Sequence, residues 1–283
     1  MMMLKLDLCF GVGMWALLIA VAIAYLVRSF IRGRARFART DADGGSAFLS
    51  KRVMEMAYWI LDPLIGGLVA LRITPNQVTG FSLLPALGAG VAVAFGMFGL
   101  ASMLASIATL SDIVDGVLAR RTKTSSDAGE VFDATVDRYG EFFLLGGMLI
   151  YWRDQWSVML LVLAAIIGSF MVSYSTAKAE ALQVPAPRGA MRRSERAVYL
   201  IVASALTAIT KVIFVEVQSV SVRELPIMLA LAIVGPVANV SVVQRMGAIM
   251  QAVRARKPVA PNPDASPPAD GIVPATPEES RGG

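Results

Sequence analysis

Long apolar stretches alternate with short polar connections along the chain, and this pattern predicts membrane-spanning helices. Stretches long enough to cross a bilayer lie at about 10–27, 77–99, 100–119, 132–152, 156–177, 197–217 and 225–249. Residues 48–72 differ, because charged residues interrupt their apolar positions. We interpret this segment as an amphipathic helix lying along the cytoplasmic membrane surface. The sequence Thr74-Pro75-Asn76 then begins the next helix.

These elements predict an all-α polytopic membrane protein. Its six-helix transmembrane core would be preceded by an interfacial amphipathic helix and by one extra N-terminal transmembrane helix. The predicted boundaries are 1–30 for the N-terminal anchor, 31–75 for a cytoplasmic linker with the amphipathic helix, 76–252 for the core and 253–283 for a tail. Seven of the fourteen prolines follow Lys257, so we expect a disordered cytoplasmic tail.

The basic residues orient these helices. Arginine and lysine concentrate in alternate connections, whereas the opposite connections carry only Arg153 and Arg223. Positive residues mark the cytoplasmic side of membrane proteins. We therefore expect an integral protein of the cell membrane with its N-terminus outside, its C-terminus inside and its active site facing the cytoplasm. Lys211, near an outer end, is expected to extend toward the membrane surface.

Composition excludes several kinds of chemistry. Of the 283 residues, 56% are apolar, 17% are charged and none is histidine. A histidine base, histidine metal ligands and a Ser-His-Asp triad are therefore absent, and acid–base work falls to carboxylates. The single Cys9 forms neither an intrachain disulfide nor a cysteine metal site. The net charge is +5, and the basic residues lie beside the apolar spans. This position favours lipid headgroups and not nucleic acid as partners.

Four aspartates in otherwise apolar segments are the strongest chemical signal. Asp112 and Asp115 are three residues apart, and Asp133 and Asp137 are four apart, so each pair shares one helix face. A charged residue at the centre of a membrane helix costs about 2.5–3.5 kcal/mol, and that cost needs compensation. Carboxylate oxygens favour Mg²⁺ or Mn²⁺, and four carboxylates together with phosphate oxygens could hold two ions.

Other residues at fixed intervals accompany these acids. Gly116 and Gly129 would allow a ligand or backbone to approach closely, and Arg120 could contact a phosphate or a base edge. The alternative of structural ion pairs with Arg120 and Arg138 would leave two acids without partners. The complete pattern is D-x2-D-G-x2-A-R-x8-G-x3-D-x3-D over residues 112–137.

This pattern resembles the signature of the CDP-alcohol phosphotransferase (CDP-alcohol phosphatidyltransferase) family, and the resemblance extends over about residues 48–250. It implies a metal-dependent enzyme of phospholipid biosynthesis that transfers a phosphatidyl group from CDP-diacylglycerol to an alcohol and releases CMP. It also implies a homodimer. By resemblance the four aspartates hold the metals, and Asp137 is also the base. The implied CDP-binding residues are Asn76, Thr79, Asp112, Asp115, Gly116, Ala119, Arg120 and Gly129. Asn76 could instead be a helix N-cap.

The acceptor alcohol is indicated by a second resemblance, to the phosphatidylinositol-phosphate synthases of this family. It rests on V-S-Y-S-T-A-K-A-E at 172–180, R-R-S-E-R at 192–196 and V-Q-R-M near 245. The implied ligands of an acceptor phosphate are Ser173, Lys178, Arg193, Arg196 and Arg245. Thr176 replaces an expected lysine, and a cation is displaced to Lys178, about 200° around a helix. Inositol phosphate and glycerol 3-phosphate, which a phosphatidylglycerophosphate synthase would use, both remain candidates.

Two other classes of membrane protein also carry intramembrane acids. Prenyltransferases that act on prenyl diphosphates place their acidic motifs on well-separated helices, whereas both pairs here fall within residues 112–137. A divalent-cation transporter would place its acids near the bilayer midplane beside helix-breaking residues. These acids lie instead at the predicted cytoplasmic edge. Both classes are weaker hypotheses than phosphatidyl transfer. Lys178 and the arginines at 188–196 could also serve only as markers of topology.

Overall fold

The computed structural model describes residues 2–32, 51–185, 189, 191–217 and 220–255. The described part of the chain contains helices and no strand. In chain order the helices are α1 Met2–Arg32, α2 Lys51–Ala70, α3 Pro75–Ala94, α4 Phe98–Thr122, α5 Asp127–Tyr151, α6 Trp156–Ala181, α7 Arg193–Ile213, α8 Val220–Arg223 and α9 Leu225–Arg254.

The predicted all-α membrane architecture is confirmed. Six of the described helices are long and apolar enough to cross a bilayer, namely α1, α3, α4, α6, α7 and α9. Helix α5 is less apolar because it carries several acids, but its 25 residues extend about 37 Å, more than the ~30 Å hydrocarbon core. The predicted boundaries at 30/31 and 75/76 stay predictions, and most of the tail 253–283 lies outside the described residues. The short helix α8 was not predicted.

Helix α2 packs against the helix that carries the first pair of aspartates. Leu61 and Ile65 are buried against Val114 and Leu118 of α4. This apolar stripe explains the alternation of apolar and charged residues in the segment. An exposed ion pair between Asp62 and Arg121 of α4, at 2.8 Å, adds little stability.

Glycines let α3 and α5 approach until their backbones touch. A Cβ added to Gly147 would overlap the backbone of Gly90, and one added to Gly90 would overlap the backbone of Phe143. Side chains larger than hydrogen would therefore separate these helices. The main apolar core lies at the same end of the bundle and includes Phe98 and Trp152. The opposite end, where α4 meets α5, is left for polar residues.

The extra N-terminal helix is joined to the core by a buried acid. Asp7 is 2% exposed, and its Oδ1 accepts a hydrogen bond of 3.0 Å from the N–H of Leu100. The N-cap residue of α4, Met97, provides no side-chain cap, so Asp7 satisfies a helix terminus from another helix. Gly11 and Gly99 allow the close approach, because a Cβ on Gly99 would overlap the carbonyl of Asp7.

The predicted orientation of Lys211 is wrong. Its Nζ turns into the protein, donating to the carbonyl of Gly96 at 2.9 Å and to the hydroxyl of Tyr151 at 3.3 Å. Tyr151 and Trp152 in turn donate to the carboxylate of Glu224, which is 3% exposed. The hydrogen-bond acceptors and the negative charge of Glu224 offset part of the cost of burying the ammonium group.

Candidate active site

The turn between α4 and α5 brings the two aspartate pairs together. Helix α4 ends where Lys123 adopts a left-handed conformation, with φ of 56°. Ser126 then caps α5, because its Oγ accepts a hydrogen bond of 3.1 Å from the N–H of Gly129. The last turns of α4 and the first turns of α5 therefore run side by side at the same end of the bundle.

Three of the four aspartates form one cluster. Asp112, Asp133 and Asp137 each place a carboxylate oxygen within 4.8 Å of the others. The Oδ1 atoms of Asp133 and Asp137 are buried and have no hydrogen-bond partner. Buried oxygens without partners are costly unless a ligand satisfies them. The cluster therefore fits a divalent cation, which prefers oxygen ligands at short distances.

Asp115 lies beside this cluster and has a protein partner. It is 4% exposed, and its Oδ2 accepts a hydrogen bond of 2.5 Å from the hydroxyl of Thr79 on α3. Its charge interacts with those of Asp112 and Asp133, which in turn interact with that of Asp137, so the four carboxylates are electrostatically linked. Thr79 thus fixes the orientation of one acid from a neighbouring helix.

A cleft of about 280 Å³ opens next to the acids, between α3, α4 and α5. An added Cβ on Gly129 would lie 3.2 Å from Ser126 Oγ and 3.4 Å from Asn76 Oδ1, so a side chain there would narrow the cleft. Of the predicted CDP-binding residues, the cleft is lined by Asn76, Thr79, Asp115, Gly116, Ala119, Arg120 and Gly129, whereas Asp112 lies in the adjacent cluster.

The N-cap of α3 is Thr74, which forms a capping box with Gln77, and not Asn76. The alternative that Asn76 caps the helix is therefore wrong. Asn76 occupies the second position of α3, is exposed and lines the cleft. Its amide remains available for a ligand.

The first arginine of α7 contacts the acids directly. Arg193 Nη1 donates to Asp112 Oδ2 at 2.8 Å and to Asp137 Oδ2. Arg138 donates to the carbonyl of Ala134 in its own helix, and its charge also acts on that of Asp133. Arg193 therefore links the acid cluster to the region predicted to bind the acceptor.

Two further arginines are buried behind Arg193. Arg196 is fully buried and forms two hydrogen bonds with Glu141, at 2.8 and 3.1 Å. Arg245 is 8% exposed and donates to Thr176 Oγ1 at 2.7 Å. The two guanidinium groups are near enough for their charges to repel each other. Arg196 Nη1, Arg245 Nε and the hydroxyl of Ser241 have no partner. Buried cations with unused donors fit an anion.

The two predicted ligands on α6 lie on different faces of that helix. Ser173 is half-buried and three residues from Thr176, so both face the same side. Lys178 is exposed and lies about 200° around the helix from Thr176. The structure therefore brings Ser173, Arg196 and Arg245 toward one region and leaves Lys178 outside it.

The sequence analysis missed Glu141 and Ser241. Glu141 continues the interval of Asp133 and Asp137 by another four residues, so it falls on the same face of α5. This four-residue spacing could have identified Glu141 from the sequence. Ser241 gave none, since a serine in an apolar helix is common and its neighbours come from other helices.

The chain is similar in sequence to known proteins. Residues 72–234 match the family model described as CDP-alcohol phosphatidyltransferase. The archaetidylinositol phosphate synthase of Pyrococcus horikoshii is 35% identical over 143 residues, which cover 50% of this chain and 74% of that protein. The phosphatidylinositol phosphate synthase of Cutibacterium acnes is 29% identical over 199 residues, covering 68% and 93%.

Solved structures show the same fold. Phosphatidylinositol phosphate synthase of Mycobacterium tuberculosis with CDP-DAG bound aligns with a TM-score of 0.58 at 22% identity, covering 70% of this chain and 97% of that one. Its complex with manganese and citrate gives a TM-score of 0.59 at 21% identity, covering 70% and 92%.

The chain belongs to the CDP-alcohol phosphatidyltransferase family. It is therefore an integral membrane enzyme of phospholipid biosynthesis, and the family resemblance inferred from the sequence is confirmed. This membership rules out the hypotheses of a prenyltransferase and of a cation transporter. The manganese in the related structure and the aspartate cluster here agree on the use of a divalent metal.

Proposed function

We propose that this enzyme transfers the phosphatidyl group of CDP-diacylglycerol to a hydroxyl of a phosphorylated polyol and releases CMP. Inositol phosphate is the preferred acceptor in this proposal, ahead of glycerol 3-phosphate. The observation that carries it is the buried pair Arg196 and Arg245, whose unused donors lie behind the acid cluster. Arg196 is paired with Glu141, but an uncharged alcohol would leave Arg245 without a counter-charge and the unused donors of both arginines unsatisfied.

The cleft between α3, α4 and α5 is the proposed site of the CDP group. Gly116 and Gly129 keep its walls open, and a Cβ on Gly116 would lie 3.3 Å from Arg120 Nη1. Arg120 can then reach a phosphate at the cleft, and Asn76 can hydrogen-bond the base or the sugar. The related structure with CDP-DAG bound supports this donor.

The four aspartates are proposed to hold two ions of Mg²⁺ or Mn²⁺. The unpartnered oxygens of Asp133 and Asp137 support one ion, and Asp115 with Asp112 supports the second. Metal bound here would neutralise the diphosphate and stabilise the charge on the departing CMP. Thr79 holds Asp115 in place throughout.

Asp137 is the proposed base. Its carboxylate belongs to the acid cluster and also accepts a hydrogen bond from Arg193, so it lies where the proposed donor and acceptor sides of the site meet. It would take the proton from the acceptor hydroxyl as the oxygen attacks the phosphorus of the donor. Arg193 would orient the acceptor phosphate, so that the reaction depends mainly on positioning.

The acceptor site is proposed to consist of Ser173, Arg193, Arg196 and Arg245, with Lys178 as a more distant fifth residue. Relatives named for inositol phosphate chemistry favour inositol phosphate. The replacement of a lysine by Thr176 removes one cation, and Arg245 uses the threonine hydroxyl as an acceptor. We also infer a cytoplasmic active site from the charge distribution, and a homodimer from the family resemblance.

A turnover assay with purified protein tests this function. CDP-diacylglycerol and Mg²⁺ or Mn²⁺ are supplied with inositol 1-phosphate, glycerol 3-phosphate, free inositol or serine, and the release of CMP and the lipid product are measured. We expect release with inositol 1-phosphate. Equal turnover with free inositol would contradict the role of the arginines, and turnover only with glycerol 3-phosphate would reassign the acceptor.

A further inference from the structure

Glu141 lies one helical turn beyond Asp137 on α5, outside the metal cluster. Its side chain is 11% exposed and holds the fully buried Arg196 of α7 through two hydrogen bonds, at 2.8 and 3.1 Å. Two parallel bonds fix the plane of a guanidinium group as well as its position. The third nitrogen of Arg196, Nη1, is then left unpartnered, on a group whose charge acts on that of Arg245.

Helices α5 and α7 are joined here by side chains. The closest backbone packing of α5 is with α3, and that of α7 is with α4, α1 and α9. A narrow cavity of about 60 Å³ lies next to both helices and is lined by Asp137, Glu141 and Arg193, among others. Two ion pairs cross this region, Arg193 with Asp137 and Arg196 with Glu141.

The spacing of the two ion pairs allows the Arg196–Glu141 pair to hold the helices in place beside the Arg193–Asp137 pair. Asp137 and Glu141 are four residues apart on α5, and Arg193 and Arg196 are three apart on α7, so the pairs lie one above the other. Arg193 must leave or share its acids when metal and acceptor bind. Neither Glu141 nor Arg196 belongs to the acid cluster, so the deeper pair can persist through the reaction.

We propose that Glu141 is a positioning residue for the acceptor site: through Arg196 it fixes the first turn of α7 on α5 and aims the free nitrogen of Arg196 at the acceptor phosphate. This inference rests on the proposed function. Glu141 does not line the CDP cleft and is not one of the three clustered acids. Its loss should therefore affect the acceptor and spare the donor.

The test compares the Michaelis constants for the two substrates. In Glu141→Gln the amide cannot match both guanidinium donors, so Arg196 loses its orientation. We expect KM for inositol 1-phosphate to rise at least about tenfold, with KM for CDP-diacylglycerol and kcat changing less than about threefold. Glu216→Gln, at an exposed site in the α7–α8 connection, is the control for loss of one negative charge and should change neither constant.

A double-mutant cycle separates positioning from general destabilisation. If Glu141 acts through Arg196, Glu141→Gln in an Arg196→Gln background should raise the acceptor KM no further. That double variant leaves neither member of this ion pair buried without its partner, so we expect it to fold even where the single variant does not. In that case Glu141→Asp, which keeps the charge but shortens the side chain, provides the single change. An equal rise in both backgrounds, or an equal effect on both substrates, would overturn the proposal.

The experiment also distinguishes this proposal from the proposed function. If the wild type turns over neither inositol 1-phosphate nor glycerol 3-phosphate, the acceptor assignment fails. The role of Glu141 is then tested by the rise in Tm that inorganic phosphate produces. This rise is measured for the wild type, Glu141→Gln, Arg196→Gln and the double variant. If Glu141→Gln removes the protection when Arg196 is present but has no further effect in the Arg196→Gln background, the positioning role is supported. If Glu141→Gln leaves the protection unchanged, the positioning role is contradicted.

Discussion

Among single residues, Asp137 bears both proposed roles of a carboxylate in this site, as metal ligand and as base. In Asp137→Asn the side chain keeps its size and one oxygen but cannot accept the proton at neutral pH. We expect kcat to fall at least about a hundredfold while binding of CDP-diacylglycerol is largely retained. Single-turnover assays and equilibrium binding of the CDP-lipid measure the two effects separately. Full activity in Asp115→Asn would contradict a metal site shared by four aspartates.

Metal binding should also be visible without turnover. A ligand at a hundred times its Kd stabilises a protein by about 2.7 kcal/mol, so saturating Mn²⁺ should raise Tm by about 5 °C or more. Asp133→Asn removes a carboxylate whose Oδ1 has no protein partner, so most of this increase should disappear. Differential scanning fluorimetry with Mn²⁺ or EDTA measures it. A variant that gains as much from Mn²⁺ as the wild type would exclude Asp133 as a ligand.

Thr176 stands where the resemblance to phosphatidylinositol-phosphate synthases leads us to expect a lysine, beside the proposed acceptor site. Thr176→Lys would add a third cation to Arg196 and Arg245. Repulsion among the three would destabilise the protein without ligand, and the added charge would strengthen phosphate binding. We expect KM for inositol 1-phosphate to fall about tenfold and Tm to fall as well. Lys178→Thr is the comparison on the exposed face of α6. A larger change in KM from Lys178→Thr would place the phosphate on the other face.

For helices, the distance between α3 and α5 decides whether the cleft and the acid cluster keep their shape. Gly147→Ala would place a methyl group inside the backbone of Gly90, at an expected cost of about 1–3 kcal/mol. Gly146→Ala is the matched control, because its added Cβ would make only ordinary contact with Phe142, at 3.9 Å. It should be neutral or stabilising by up to about 1 kcal/mol. Thermal unfolding and CMP release measure both variants. Equal stability of the two would contradict the close approach.

Helix positions could be predicted from the sequence because each depends on local features. A bilayer sets the length of an apolar stretch, so the six core spans were located to within a few residues, and Thr74-Pro75 marked the start of α3. The aspartate spacing likewise placed each pair on one face. Contacts between helices were not predictable, because Asp7 with Leu100, Lys211 with Gly96 and Glu141 with Arg196 join residues at least 55 positions apart.

The helix bundle carries its candidate active site at one end and a packed apolar core at the other. Aromatic and apolar residues, with the network around Glu224, close the end where α5 meets α6. Acids, arginines and the cleft occupy the end where α4 meets α5. The proposed phosphorylated acceptor is soluble, so it must reach that second end from water, and CMP must leave to water from the same end. The side of the membrane that this end faces therefore decides whether the enzyme uses substrates from inside or outside the cell.

Labelling of single cysteines tests the predicted orientation. Cys9→Ser removes the native thiol, and Ser125→Cys or Asp154→Cys then places one thiol at each end of the bundle, both at exposed positions. If the active site faces the cytoplasm, a membrane-impermeant maleimide added to intact cells should label Asp154→Cys and not Ser125→Cys. Permeabilised cells should show labelling at both, which controls for reactivity. The reverse pattern in intact cells would place the acids outside and contradict the topology argued from arginine and lysine.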